Sequence, residues 1–66
     1  MLSGNEIKTL RILFKIKLKK LAKELDCTNN YLGLVENEQR KSERIRAKAT
    51  LYFQELQKEK QINLPL

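Results

Sequence analysis

Sixty-six residues make one domain at most, with a small core, and a single Cys with no His excludes an internal disulfide and a Cys/His metal site. The longest apolar run, Ile12-Leu13-Phe14, is far short of a membrane span, and no basic region followed by an apolar stretch marks a leader, so a soluble, cytoplasmic protein without a membrane partner is expected. The net charge of +6 is uneven: residues 1–25 carry seven Lys/Arg against two Glu, residues 26–41 two against three acids, and residues 42–66 five against three. Such an excess attracts polyanions by counterion release, although a solvated lysine-rich surface has the same composition.

The first element spans about Asn5 to Lys15. Ser3 or Asn5 is the expected N-cap, Glu6 falls in the first turn, and Ile7, Leu10 and Phe14 line one face. The second element covers roughly Leu18 to Leu25, with Leu18, Leu21, Ala22 and Leu25 at i, i+3, i+4 and i+7. Asp26-Cys27-Thr28 breaks that pattern. Thr28 is a good N-cap for a third helix over about Asn29 to Asn37, whose apolar face resumes at Leu32 and Val35. Cys27 reads as a small buried residue of the turn rather than a nucleophile, and a lone thiol fits a reducing compartment. Ser42, followed by Glu43, caps a fourth helix running to about Lys60. Its face is Ile45, Ala49, Tyr52 and Leu56, with Phe53 beside it. Pro65 sets the apolar tail of residues 61–66 apart from the domain of residues 1–60. No segment alternates as a strand, and the short polar connections suit an all-α bundle.

Residues 16–41 have the layout of a DNA-binding helix-turn-helix, whose second helix offers its N-terminal residues to base edges. Thr28, Asn29 and Asn30 open that helix. Asn pairs bidentately with adenine and a Thr methyl meets thymine; Thr28 is expected to cap in either event. Gly33 stands mid-helix at a cost of about 1 kcal/mol against Ala. A closely packed neighbouring helix or a close DNA backbone would account for it, and the second is preferred. Leu34 lies off the Leu32/Val35 face, placed either to touch a thymine methyl or to pack sideways. Lys17, Lys19 and Lys20 flank the start of the second helix, and Gln39, Arg40 and Lys41 follow the third; both places suit phosphate contact. Arg44, Arg46 and Lys48 rank behind them. Tyr31 is expected to be partly buried, and Tyr52 and Phe53 to be core. Without a phosphate-cradling Gly loop or a paired-carboxylate constellation, neither an enzyme, a cofactor nor a small-molecule ligand is expected.

Leu10-Arg11, then Leu21-Ala22, then Tyr31-Leu32-Gly33-Leu34-Val35-Glu36-Asn37 resemble, in order and spacing, helix-turn-helix regulators of the Cro/phage-repressor (xenobiotic-response-element, XRE) type, over about Ile7 to Leu56. The resemblance implies a lambda-repressor-like bundle of four helices, or five. It implies a transcriptional regulator, a repressor or autoregulator of a mobile element, that binds double-stranded DNA as a homodimer. It also implies a structural pair between Arg11 and Glu36.

The chain departs from that pattern at four places. Lys17-Leu18 opens the second helix where the family has Ser or Thr followed by Gln. Asp26 replaces the turn Gly. Glu38 replaces the Gly after the third helix, which leaves Asn37 as the expected helix-ending residue. Ile12 and Leu13 stand where the family carries charge. With Leu51, Phe53, Ile62 and Leu64 they exceed one small core, and a two-fold dimer is the simplest partner for the surplus. The end of the fourth helix and the tail are the preferred interface. Two other readings stay open: a protein-interaction module (antirepressor or assembly factor), favoured by the missing Gln, and an accessory DNA-binding factor for plasmid transfer or recombination.

Overall fold

A computed structural model of the protein describes residues 1–60. Four helices follow one another: α1 (Gly4–Leu13), α2 (Leu18–Glu24), α3 (Asn29–Glu36) and α4 (Glu43–Lys60), with no strand among the described residues. The starts of α1, α3 and α4 are set by local hydroxyl chemistry. Ser3 Oγ accepts from the Glu6 N–H at 3.1 Å while Glu6 Oε1 accepts from the Ser3 N–H at 2.8 Å, a reciprocal capping box. Thr28 Oγ1 accepts from the Tyr31 N–H at 3.1 Å, and Ser42 Oγ from the Ile45 N–H at 3.2 Å. α2 begins at Lys17 with no side-chain cap.

The ends of α1, α2 and α3 share one device. Lys15, Asp26 and Glu38 take φ values of 57°, 58° and 60°, in the left-handed region. The next amide then reaches back along the helix: Ile16 to the Arg11 carbonyl, Cys27 to that of Ala22 and Gln39 to that of Leu34, each at 2.9 Å. The left-handed residue's own N–H bonds the Ile12, Lys23 or Val35 carbonyl. These are Schellman closures made without glycine. Asp26 fills the turn as its local polar side chain allows. Asn37 does end α3 as its C-cap, with a φ of −86°, but the left-handed turn falls on Glu38. The closure onto Leu34 sets that phase. Glu38 also gains a partner there, since its Oε2 accepts from the Asn5 N–H at 3.3 Å in the first turn of α1.

α3 packs against α1 and α2, and α1 against α4. The core holds Ile7, Leu10, Leu21, Ala22, Leu25, Leu32, Val35, Ile45, Ala49 and Phe53, closed by Leu2. The expected face of α4 is corrected by this packing. Phe53 is fully buried and is not surplus surface, while Tyr52 and Leu56 are only half-buried. The residues leading into α1 lie on the side of α4 that carries positions 46, 50 and 53. The Leu2 N–H donates to Thr50 Oγ1 and Arg46 Nε donates to the Leu2 carbonyl, both at 2.9 Å. Phe14 then stacks on Phe53 at 5.9 Å between ring centroids, and Tyr52 meets Phe53 edge-on at 5.4 Å.

Gly4 brings the start of α1 against the backbone at the end of α3. It is buried, and a Cβ on it would collide with the Val35 carbonyl oxygen, so only glycine lets α1 start against the last turn of α3. Of the other surplus apolar side chains, Ile12, Leu13 and Leu51 are 58%, 60% and 62% exposed. Ile62 and Leu64, with the tail of residues 61–66 preferred for the interface, lie outside the described residues. Among the described residues no helix is long and apolar enough to cross a membrane.

Candidate nucleic-acid interface

One face of α3 is fastened from within. Leu32 and Val35 are buried, and so is Glu36, a charged residue only 2% exposed. Arg11 holds it with both arms of its fork: Nε donates to Glu36 Oε2 at 2.8 Å and Nη2 to Oε1 at 3.1 Å. Its third donor, Nη1, reaches the Ile16 carbonyl at 3.1 Å. One guanidinium thus ties α1, α3 and the connection leading into α2. The planar fork matches a carboxylate in a way that lysine's point charge cannot. The pair fixes where the outer face of α3 stands relative to the start of α2.

The other face is uncommitted. Asn29 and Asn30 are exposed, and their side-chain amides make no hydrogen bond among the described residues. Thr28 is exposed too, but its oxygen is engaged as the cap. Gly33 and Leu34 are half-buried. A Cβ on Gly33 would meet only Leu18 Cδ2, at 3.9 Å, which is ordinary contact. No neighbouring helix therefore requires glycine at that position.

Exposed cations lie on α2 and in the segment that follows α3. Lys17, Lys19 and Lys20 are exposed, and none forms an ion pair among the described residues. They line a shallow open depression together with Lys23 and Glu24. A second depression joins Lys19 and Lys23 of α2 to Cys27 and Asn29 at the opening of α3. Lys23 was not singled out from the sequence; its place one helical turn after Lys19 is the signal that could have found it. Gln39, Arg40 and Lys41 are also exposed. Arg40 and Lys41 line a separate depression shared with Ser3, Gly4 and Arg46. Lys19 and Lys23 thus stand by the opening of α3, while Arg40 and Lys41, which follow its end, line another hollow.

Cys27 is half-buried, and that burial pushes its thiol up, away from the thiolate form. Among the described residues no group of three or more His, Cys, Asp and Glu could hold a metal ion. Comparison with protein-family models, with curated proteins and with solved structures finds no match to this chain.

Proposed function

We propose that this chain is a sequence-specific double-stranded DNA-binding protein of the helix-turn-helix type, with α2 and α3 as the motif and α3 entering the major groove. The observation that carries the reading is the two-sidedness of α3. One side is sealed by Leu32, Val35 and the Arg11–Glu36 pair, while the other offers small uncommitted polar groups flanked by cations of α2 and by Arg40 and Lys41, none of them ion-paired among the described residues. A major groove presents base edges between two rows of phosphates, and this surface matches that order of charge. Lys17, Lys19, Lys20 and Lys23 would meet one phosphate row, and Gln39, Arg40 and Lys41 the other. Thr28, Asn29, Asn30, Gly33 and Leu34 would face the bases. Gly33 fits this reading, because nothing inside the fold explains its cost.

A helix of eight residues is about 12 Å long and reads few base pairs. Two copies on half-sites one helical turn apart supply the missing contact area, so the protein acts as a dimer on a palindromic operator. Exposed Ile12, Leu13 and Leu51 are the apolar surface available to pair two copies. Repression or autoregulation of a mobile element is the role that the sequence resemblance attaches to such a module. An accessory role in plasmid transfer or recombination needs the same contacts. The same exposed apolar side chains favour the second reading, a protein-interaction module that has given up DNA.

Selection from a random duplex library with the purified protein separates these. Enrichment of a palindrome is the expected result, and no enrichment with no salt-dependent binding would leave the interaction module. On the selected site, Lys19→Ala or Arg40→Ala should weaken binding to all sequences alike and lower the slope of log affinity against log salt by about one. Unfolding free energy should stay within about 0.5 kcal/mol of the parent.

A further inference from the structure

We infer that α3 reads A·T pairs, adenine through Asn30 and thymine through Leu34; the inference rests on the DNA-binding reading above. Leu32, Val35 and Glu36 define the inward direction of α3. Advancing about 100° per residue, the direction opposite to those three falls between Asn30 and Leu34. These two are i and i+4, one above the other on one line of the helix, Asn30 exposed and Leu34 half-buried. Asn29 stands to one side, over the depression that it shares with Lys19 and Lys23. Thr28 has its oxygen occupied by the Tyr31 N–H.

The chemistry available on that line is narrow. Guanine is read by Arg or Lys donating to O6 and N7, and α3 carries neither residue. Cytosine N4 is read by a carboxylate. The only one on α3 is Glu36, which is buried and held at both oxygens by Arg11. What remains is a carboxamide and an isobutyl group. The Asn30 amide can donate to adenine N7 while its oxygen accepts from N6, and the Leu34 side chain can lie against the thymine 5-methyl group. Gly33, between them in sequence, adds no side chain that would hold the helix off the groove floor. The cations stay on the shoulders, at α2 and after α3, where they meet phosphate and do not discriminate between bases.

The test uses the whole protein and chemically edited duplexes. A site is first selected from a random library. Single adenines in it are then replaced by 7-deazaadenine, which lacks N7, and single thymines by uracil, which lacks the methyl. The selected core should be A·T. At one adenine the deaza edit should weaken the parent protein roughly 5- to 150-fold, the worth of one good base contact, and should weaken Asn30→Ala no further. At a nearby thymine, uracil should weaken the parent several-fold and Leu34→Ala no further. Because both edits are read on the unaltered protein, the test does not depend on the variants folding. A G·C core, or indifference of the parent to both edits, overturns the A·T assignment and leaves DNA binding standing. Absence of any salt-dependent duplex binding overturns both.

Discussion

The joint between α1 and α3 and the outer surface of α2 and α3 are made from similar residue types used in opposite ways. At the joint, Arg11 spends three donors on Glu36 and Ile16, Ser3 and Glu6 cap each other, and Gly4 lies against the Val35 carbonyl. On the outer surface, among the described residues, the lysines of α2 form no ion pair, the amides of Asn29 and Asn30 are unengaged, and Gly33 touches no close neighbour. The difference separates residues that hold the fold from residues left over for a partner. Substitutions in the first region should lower stability and leave the salt slope of binding alone, while replacing the lysines of the second should lower the slope at little cost in stability.

The sharpest attempt to break that division is Glu36→Ala. Removing one member of a buried pair leaves the Arg11 charge uncompensated, and urea titration should show a loss of about 3–5 kcal/mol. Replacing both members together, Arg11→Met with Glu36→Leu, should cost much less. A loss under about 1 kcal/mol for Glu36→Ala would mean that the joint is not what holds α3.

The two glycines give the next test, because one substitution carries opposite signs in the two regions. Gly4→Ala drives a methyl into a carbonyl and should destabilise by about 1–3 kcal/mol. Gly33→Ala has room and gains helix propensity, so thermal unfolding should show a stabilisation of about 1 kcal/mol. Equal signs for both would remove the contrast.

The smallest effect concerns Glu6. Hydrogen bonds from the Ser3 backbone N–H and the Ser3 hydroxyl hold its carboxyl below the usual carboxylate range. A lowered carboxylate contributes stability above its unfolded value, about 4.3, and that contribution is lost as pH falls through the lowered value. Urea midpoints measured from pH 6 to pH 3 should therefore drop less for Glu6→Gln than for the parent. The difference will be slight, because the group is fully exposed and screened.

Those features of the fold that depend on near neighbours in the chain were readable from the residues alone. Ser3, Thr28 and Ser42 act as caps because a hydroxyl beside a helix start needs only the next turn to complete its bond. The core faces of α1 to α3 follow from their period. What escaped depends on contacts made elsewhere. The face of α4 turns toward Phe53 because α1 arrives on that side, and nothing within α4 announces it. Gly4 looks like any glycine near a helix start until Val35, 31 positions later, is placed against it. Glu38 rather than Asn37 turns left-handed because the bond to Leu34 sets the phase, against the local preference for Asn. The candidate interface was legible as a set of residue types in order. That Lys23 joins Lys19 beside Asn29, while Arg40 and Lys41 line a separate hollow, required the packed helices.

The three left-handed closures have a consequence for how the molecule opens. Lys15, Asp26 and Glu38 each hold a conformation that costs a side-chain-bearing residue about 1 kcal/mol or more, so the chain's weakest seams lie between its helices, not inside them. The amides of Ile16, Cys27 and Gln39 close those seams. In native-state hydrogen exchange they should trade with solvent ahead of the amides of Leu32 and Ala49, buried within α3 and α4. α2 and α3 sit between the seams at Lys15 and Glu38, with the third at Asp26 dividing them. Opening at these seams would leave the hydrogen bonds inside α2 and α3 intact.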